Sequence, residues 1–352
     1  MSTAIDFSKE SESILNPFFV KELTLALLRV PSGDNCQPFR INWTSETLEV
    51  YHDNNIAKHA LNIDNTSSKI SFGCMKKIIE IVSAKHGLTF EVNYTDDKAF
   101  THQLVAEIYF MIDEKIKKTT DVGLIESRFT YRGTNKHLRP HMKQMLEESL
   151  PARFKVYTGT EKIINTVTSN DYIIWRSPKI VRDILGWTKF IFKSDRGFEF
   201  RNLYTSLKNW PGMLTLKYLP FLAPVFLPVI RSELRKSFVG SDFLVYEREL
   251  KDAEDFIRTG EECYEVWLRL TELGISVQPL SISSFGLKTI IKLKKQQGLS
   301  TSYEEKLMKK TRDVFCENRE IAWVFRIGEP LRPKEYSKRI HRSKFLQEDE
   351  IL

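Results

Sequence analysis

The most restrictive stretch of this chain is Tyr218–Ile230, YLPFLAPVFLPVI, uncharged throughout, bounded by Lys217 and Arg231 and broken by Pro220, Pro224 and Pro228. A bilayer-spanning helix needs about 20 apolar residues and tolerates interior prolines poorly. The segment therefore does not span a membrane and must be accommodated on a globular body. Three uses are open to this insert, residues 209–231. It can be a lid whose apolar face carries Tyr218, Phe221 and Phe226, or an excursion packed into the core. The third use, a membrane-surface contact, is opposed by the prolines, which interrupt an amphipathic helix.

The rest of the chain has the means to build a core. Its 352 residues are 41% hydrophobic and 28% charged, with 23 Phe, 12 Tyr and 6 Trp, a composition of folded rather than disordered chains. The net charge of +7 suits an anionic small ligand as well as nucleic acid, and no nucleic-acid motif accompanies it. The N-terminus has no basic stretch followed by an apolar one, so no signal peptide is expected. Four cysteines at 36, 74, 263 and 316 form no close pair. They give neither a disulfide framework nor a Cys-rich zinc site, and fit a reducing, cytoplasmic compartment.

Periodicity predicts helices and strands mixed without βαβ regularity, an α+β fold. Pro17 opens a helix that must stop at Pro31. FRINWTSETLEVYHD, from Phe39, reads as two short strands, and Ser68–His86 as a helix closed by Gly87. Leu88–Tyr94 and Val105–Ile112 follow as strands. A second unit begins near Gly123, dividing the chain into halves of 1–120 and 121–352. Its main signals are a helix around Met142–Leu150, weakly helical residues at 160–208 and a buried strand at Ser241–Glu247. The amphipathic helix Glu254–Leu273 ends at Gly274, and strands follow at Ile275–Gln278 and Ala322–Ile327.

Familiar catalytic motifs are missing: there is no GxSxG, no Walker sequence and no GxGxxG. His137 and His141 stand four apart but lack a third ligand, so no metal site is expected. Cys36 has no evident His partner and reads as a small apolar residue.

Two clusters stand out. Pro31-Ser-Gly-Asp-Asn-Cys-Gln-Pro38 is a loop stiffened at both ends, in which Ser32, Gly33 and Asn35 can approach a flat heterocycle closely. In Arg128-Phe-Thr-Tyr-Arg132, an extended backbone would set two guanidinia on either side of the Thr130 hydroxyl, a grip for phosphate. An ordinary turn and a solvated edge strand remain open as the alternatives.

Together the clusters resemble signatures of the nitroreductase-like flavoproteins. Arg29–Phe39 is similar to their P-S-x-x-N-x-Q-P loop and Arg128–Arg132 to their R-x-S-x-R phosphate motif. Gly274–Ser281 resembles the segment passing the flavin's reactive edge, and Phe325–Gly328 with the basic Ser337–Arg342 resembles their last strand and tail. The resemblance runs from about residue 18 to 345, with Phe39 where the family usually has Trp and Asn135-Lys136 near a usual Arg. The motif order is inverted, and residues 1–18 contain no arginine.

The resemblance thus implies a tandem, dimer-like chain with one FMN at the seam, as in the branch of mycobacterial flavin-sequestering proteins. It assigns Pro31, Ser32, Gly33 and Asn35 to the isoalloxazine or ribityl chain. Arg128, Thr130 and Arg132, helped by Arg339 or Arg342, would hold the phosphate, and the backbone of Pro279, Leu280 and Ser281 would face the flavin N5 edge. The implied activity is two-electron hydride chemistry on a small organic substrate, with NAD(P)H as a possible electron donor. The alternative is a non-enzymatic protein that sequesters flavin. Either way the chain would act as a monomeric pseudo-dimer or a homodimer.

Overall fold

A computed structural model describes residues 14–59, 61–96, 98–101, 103–113, 115–116, 121–189, 195–199, 212–315, 319–331, 339 and 342–346. Cys316, residues 200–211 and most of the basic tail lie outside these. The architecture is α+β, with helices packed on two antiparallel sheets.

The first helix, α1 (Pro17–Leu27), starts where the Asn16 side chain accepts the Phe19 N–H at 2.9 Å, satisfying a donor that the first turn leaves orphaned. Strands β1 (Phe39–Trp43) and β2 (Thr47–His52) follow, then the short α2 (Asn54–Ala57) and the long α3 (Thr66–Lys85). Strands β3 (Leu88–Tyr94) and β4 (Leu104–Ile112) complete a sheet of order β1-β2-β4-β3. Its alternating side chains bury Ile41, Leu48, Val50 and Ile108 against Phe19, Leu23 and Phe72.

Beyond α4 (Gly123–Ser127) and the two-residue β5 (Asn135–Lys136), the plan repeats. Helix α5 (Pro140–Ser149) precedes β6 (Phe154–Tyr157). A long connection contains α6 (Glu161–Tyr172), α7 (Pro178–Gly186), the small β7 (Thr188–Lys189) and β8 (Phe198–Glu199), α8 (Gly212–Tyr218) and α9 (Ala223–Phe238). Strand β9 (Asp242–Glu247) leads to the long α10 (Ala253–Glu272) and β10 (Ser276–Pro279). Helices α11 (Leu287–Gln296) and α12 (Ser302–Phe315) then separate β10 from β11 (Ile321–Pro330). The second sheet runs β6-β9-β11-β10, with β5 added on β11. In each sheet, therefore, the first strand pairs the second, the second the fourth and the fourth the third, and the long helix joins the second strand to the third.

The long helices of the two halves cross at glycines. A Cβ on Gly73 of α3 would lie 1.8 Å from the Ile257 carbonyl oxygen of α10, and one on Gly260 would lie 2.0 Å from that of Ile70. The contact is reciprocal, as in a two-fold interface. One separation, 187 residues (260 − 73), relates both the glycines and the isoleucines, and also Gly87 to Gly274. Those last two close the helices at φ +73° and +70°, a left-handed conformation that costs glycine nothing.

His52 is buried between Phe39 and Phe100, its Nε2 2.8 Å from Ser68 Oγ. Burial holds its pKa down to about 4. The unfolded chain therefore takes up the proton first as pH falls from the usual histidine range towards 4. Stability is expected to drop across that window by on the order of 2 kcal/mol, a loss that His52→Phe should flatten in urea titrations at stepped pH.

The proline-rich insert departs from its sequence reading. Helix α9 runs continuously through Pro228, with Pro224 in its first turn, where no N–H is needed. Its inner side buries Ala223, Ile230 and Leu234 with Trp175, Val181 and Leu185, which offsets the hydrogen bond lost at Pro228. Residues 209–211 lie outside the described part. Among the described residues, no helix is long and apolar enough to cross a membrane.

Candidate functional site

A cleft lies beside the α3–α10 crossing and takes its walls from both halves. The loop after α1 supplies Pro31, Ser32, Gly33 and Asp34, α3 supplies Cys74, and α10 supplies Cys263, Tyr264 and Trp267. Thr130 and Arg132 enter from the segment after α4, and Pro279 and Ser281 from the end of β10. The cleft measures about 170 Å³, below the roughly 300–1,000 Å³ common for ligand sites. An occupant larger than a small ring must extend through its mouth.

The Pro31–Pro38 loop is held in an uncommon shape. Asp34, Asn35 and Gln37 have φ of 48°, 55° and 51°, a region few non-glycine residues visit. The Ser32 Oγ accepts the Gln37 N–H at 2.9 Å. Asn35 Nδ2 donates to the Gly197 carbonyl at 2.7 Å, and its Oδ1 accepts from Arg339 at the same distance. Asn35 thus clasps the loop from behind the cleft wall. Gly33 faces the cleft closely enough that a Cβ would stand 3.0 Å from His59 Nε2.

The arginines divide. Thr130 and Arg132 line the cleft, but Arg128 does not flank them. It is 5% exposed, its guanidinium lies 4.4 Å from the Trp267 ring centroid, and its Nη2 donates to the Arg29 carbonyl at 2.7 Å. The turn after α4 is what breaks the expected shared face: Arg128 caps the helix, while the Tyr131 N–H bonds the Val277 carbonyl. The buried Arg326 fixes the same segment by donating to the Tyr131 and Gly133 carbonyls.

Arg339 donates to the Val30 carbonyl at 3.2 Å and reaches towards that of Arg29. Burial, with the adjacent Arg128 and Arg29 guanidinia, holds its pKa down to about 9. Among the described residues, neither Arg128 nor Arg339 has a carboxylate ion-pair partner. The buried Nε of Arg128 and indole nitrogens of Trp267 and Trp323 also lack a hydrogen-bond partner. The Arg342 side chain lies outside the described residues.

Along Pro279–Ser281, Pro279 has no N–H and the Leu280 N–H bonds the Val324 carbonyl at 2.8 Å. Of the three, only Ser281 can offer an N–H to an occupant. Among the described residues of the insert, none lines the cleft.

Sequence reasoning passed over Asp34, His59, Cys74, Cys263, Tyr264 and Trp267. The last three fall at i, i+1 and i+4 on α10, a helical face that periodicity can find. Burial, opposed by His59 and Arg132, raises the Asp34 pKa. It also pushes the Cys36 and Cys74 thiols up to about 12 and Cys263 well above its ordinary value. All three stay protonated at neutral pH and are not nucleophiles. His137 is bound to Asp242 at 2.8 Å, and the described residues contain no cluster of three metal-binding side chains.

Among the described residues, the position that the repeat pairs with the cleft is closed. The repeat relates Cys74 to Glu261 and Cys263 to Lys76, and there Lys76 Nζ and Glu261 Oε1 form an ion pair at 2.5 Å. The connection from α1 to β1 has eleven residues, 28–38, whereas its counterpart from α5 to β6 has four, 150–153. The second half thus lacks the loop that walls the cleft. No known family model matches the chain, and no curated protein matches it in sequence.

Proposed function

We propose that this chain is a nitroreductase-like flavoprotein, an intramolecular pseudo-dimer holding one FMN in the cleft between its halves. The observation that carries the reading is the pair of inward guanidinia, Arg128 and Arg339, gathered around the Arg29 carbonyl with no carboxylate partner among the described residues. Uncompensated buried cations are costly, and an anionic ligand relieves them. The partnerless indole nitrogens and the Gly33 opening suit a flat, polar-edged ligand. The matching sheet orders and the reciprocal glycine crossing support the pseudo-dimer, and the single long α1–β1 connection supports one site.

Arg132 and Thr130 would hold the phosphate, with Arg128 and Arg339 supplying positive potential behind them. Pro31, Ser32 and Gly33 would border the ring system, and the Ser281 N–H would hydrogen-bond its edge. Bound FMN supplies two-electron exchange with a small organic substrate. His59 Nε2, beside Gly33, is placed to move a proton at the cleft, and His59 acts electrostatically on the Asp34 carboxyl.

FMN titrated into the purified chain, followed by flavin absorbance and fluorescence, is expected to saturate at one per chain. Arg132→Ala should weaken it about tenfold, the worth of one charged hydrogen bond. No binding, or binding that ignores Arg132, overturns the assignment.

A further inference from the structure

We propose that the tip formed by α8, the turn after it and the first half of α9 docks on an anionic membrane surface. This goes beyond the flavin reading and does not depend on it. The turn breaks the two helices at Pro220–Leu222, and their outward sides are apolar. Tyr218 is 67% exposed, Phe221 63% and Val225 71%, with Leu219 and Val229 also exposed. No other stretch of comparable length among the described residues leaves so many large apolar side chains in water. Along α9 the exposed stripe runs through Pro224, Val225, Pro228 and Val229, the i, i+1, i+4, i+5 spacing of one helical face. The opposite side is anchored on Trp175, Val181 and Leu185, so the tip is held in place. Contiguous exposed apolar surface on a soluble body marks an interaction site.

Charge selects the occupant. Lys179 and Arg182 are exposed on α7, which packs on α8 and on the turn, and Arg231 is exposed at the polar end of the stripe. Among the described residues, α8 and the first two turns of α9 contain no carboxylate, and Asp183 of α7 is half-buried. An apolar tip bearing an amphipathic Tyr, with cations beside it, complements acyl chains beneath anionic headgroups. Each contribution alone gives weak, reversible binding, and the two together give salt-sensitive docking. Pro224 and Pro228 lie on the stripe itself and add their apolar rings to it.

The test is co-sedimentation of the full chain with vesicles of phosphatidylcholine alone or mixed with phosphatidylglycerol. Binding is expected to the mixed vesicles only and to weaken as salt rises. Phe221→Asp combined with Val225→Asp should reduce it at least tenfold while leaving the urea midpoint unchanged, since both residues are exposed. Lys179→Glu with Arg182→Glu should reduce it without touching the apolar tip. No sedimentation, equal binding to both vesicles, or undiminished binding by the double Asp variant overturns the proposal. So does self-association in solution that the same variant abolishes, which would make the face a contact between proteins.

Discussion

Gly260→Ala is expected to destabilise the chain by about 3 kcal/mol or more, among the largest effects of any single methyl group added to it. In an exposed helix the same exchange gains up to roughly 1 kcal/mol, because alanine loses less backbone freedom on folding. Here the new Cβ meets the Ile70 carbonyl oxygen at 2.0 Å. Neither partner is a flexible side chain, so relief requires the two helices to part. Overpacking of this kind costs roughly 1–3 kcal/mol even where side chains can shift, and steric cost wins over propensity. Gly73→Ala, facing Ile257 at 1.8 Å, should behave alike. Gly186→Ala is the control: nothing lies within 4 Å of its Cβ, and it should be neutral or slightly stabilising. Urea midpoints compare the three. A stability gain at position 260 would mean that the helices do not cross there. Parting the helices also moves Cys74 against Cys263, so any folded Gly260→Ala protein should bind FMN more weakly.

The second large effect couples function against stability. Replacing both Arg128 and Arg339 with Met removes two guanidinia that have no carboxylate partner among the described residues. Exchanging buried charges for apolar groups of similar volume is often neutral or stabilising by 1–4 kcal/mol. The loss of the Arg128 stacking on Trp267, of its bond to the Arg29 carbonyl and of the Arg339 bonds to Asn35 and the Val30 carbonyl opposes this by about 2–4 kcal/mol. The two effects offset each other, and the apo double variant should be about as stable as the parent. FMN affinity, in contrast, should fall by about 100-fold, since the phosphate loses two positive charges standing behind Arg132 and Thr130, each worth on the order of 1–2 kcal/mol of attraction. Wild-type protein should gain about 2.7 kcal/mol from FMN at a hundred times its Kd, and the variant little under the same conditions. A variant that unfolds but still binds FMN would assign these arginines to the architecture alone.

Much of the fold was legible because local rules agreed with the tertiary outcome. Leu88–Tyr94 alternates and forms β3 over the same residues, and α3 and α10 each end one residue before the expected end, two before the closing glycine. The Pro31–Pro38 loop and Thr130 with Arg132 were readable as polar groups in a constrained backbone, and the structure gathers most of them at one cleft. What the sequence concealed was long-range. Gly73 and Gly260 look like mild helix defects until the helices are laid across each other. Cys74 and Cys263 meet only through that crossing, and His59 reaches Gly33 through the turn before α3. Arg128 was misplaced because a strand was assumed where a short helix ends. The prolines of the insert misled as well: propensity argued against a helix that packing on Trp175 and Leu185 sustains.

Joining the two halves of this crossing in one polypeptide alters its thermodynamics. In a two-chain assembly of the same design, dilution pulls the helices apart, and the site between them vanishes with the partner. Here each helix sees the other at a fixed local concentration set by the intervening chain, on the order of millimolar for a flexible tether. The cleft is thus as complete at nanomolar protein as in a concentrated solution. In the pseudo-dimer proposed above, the halves do not have to stay alike, which leaves the Lys76–Glu261 side free to serve as scaffold.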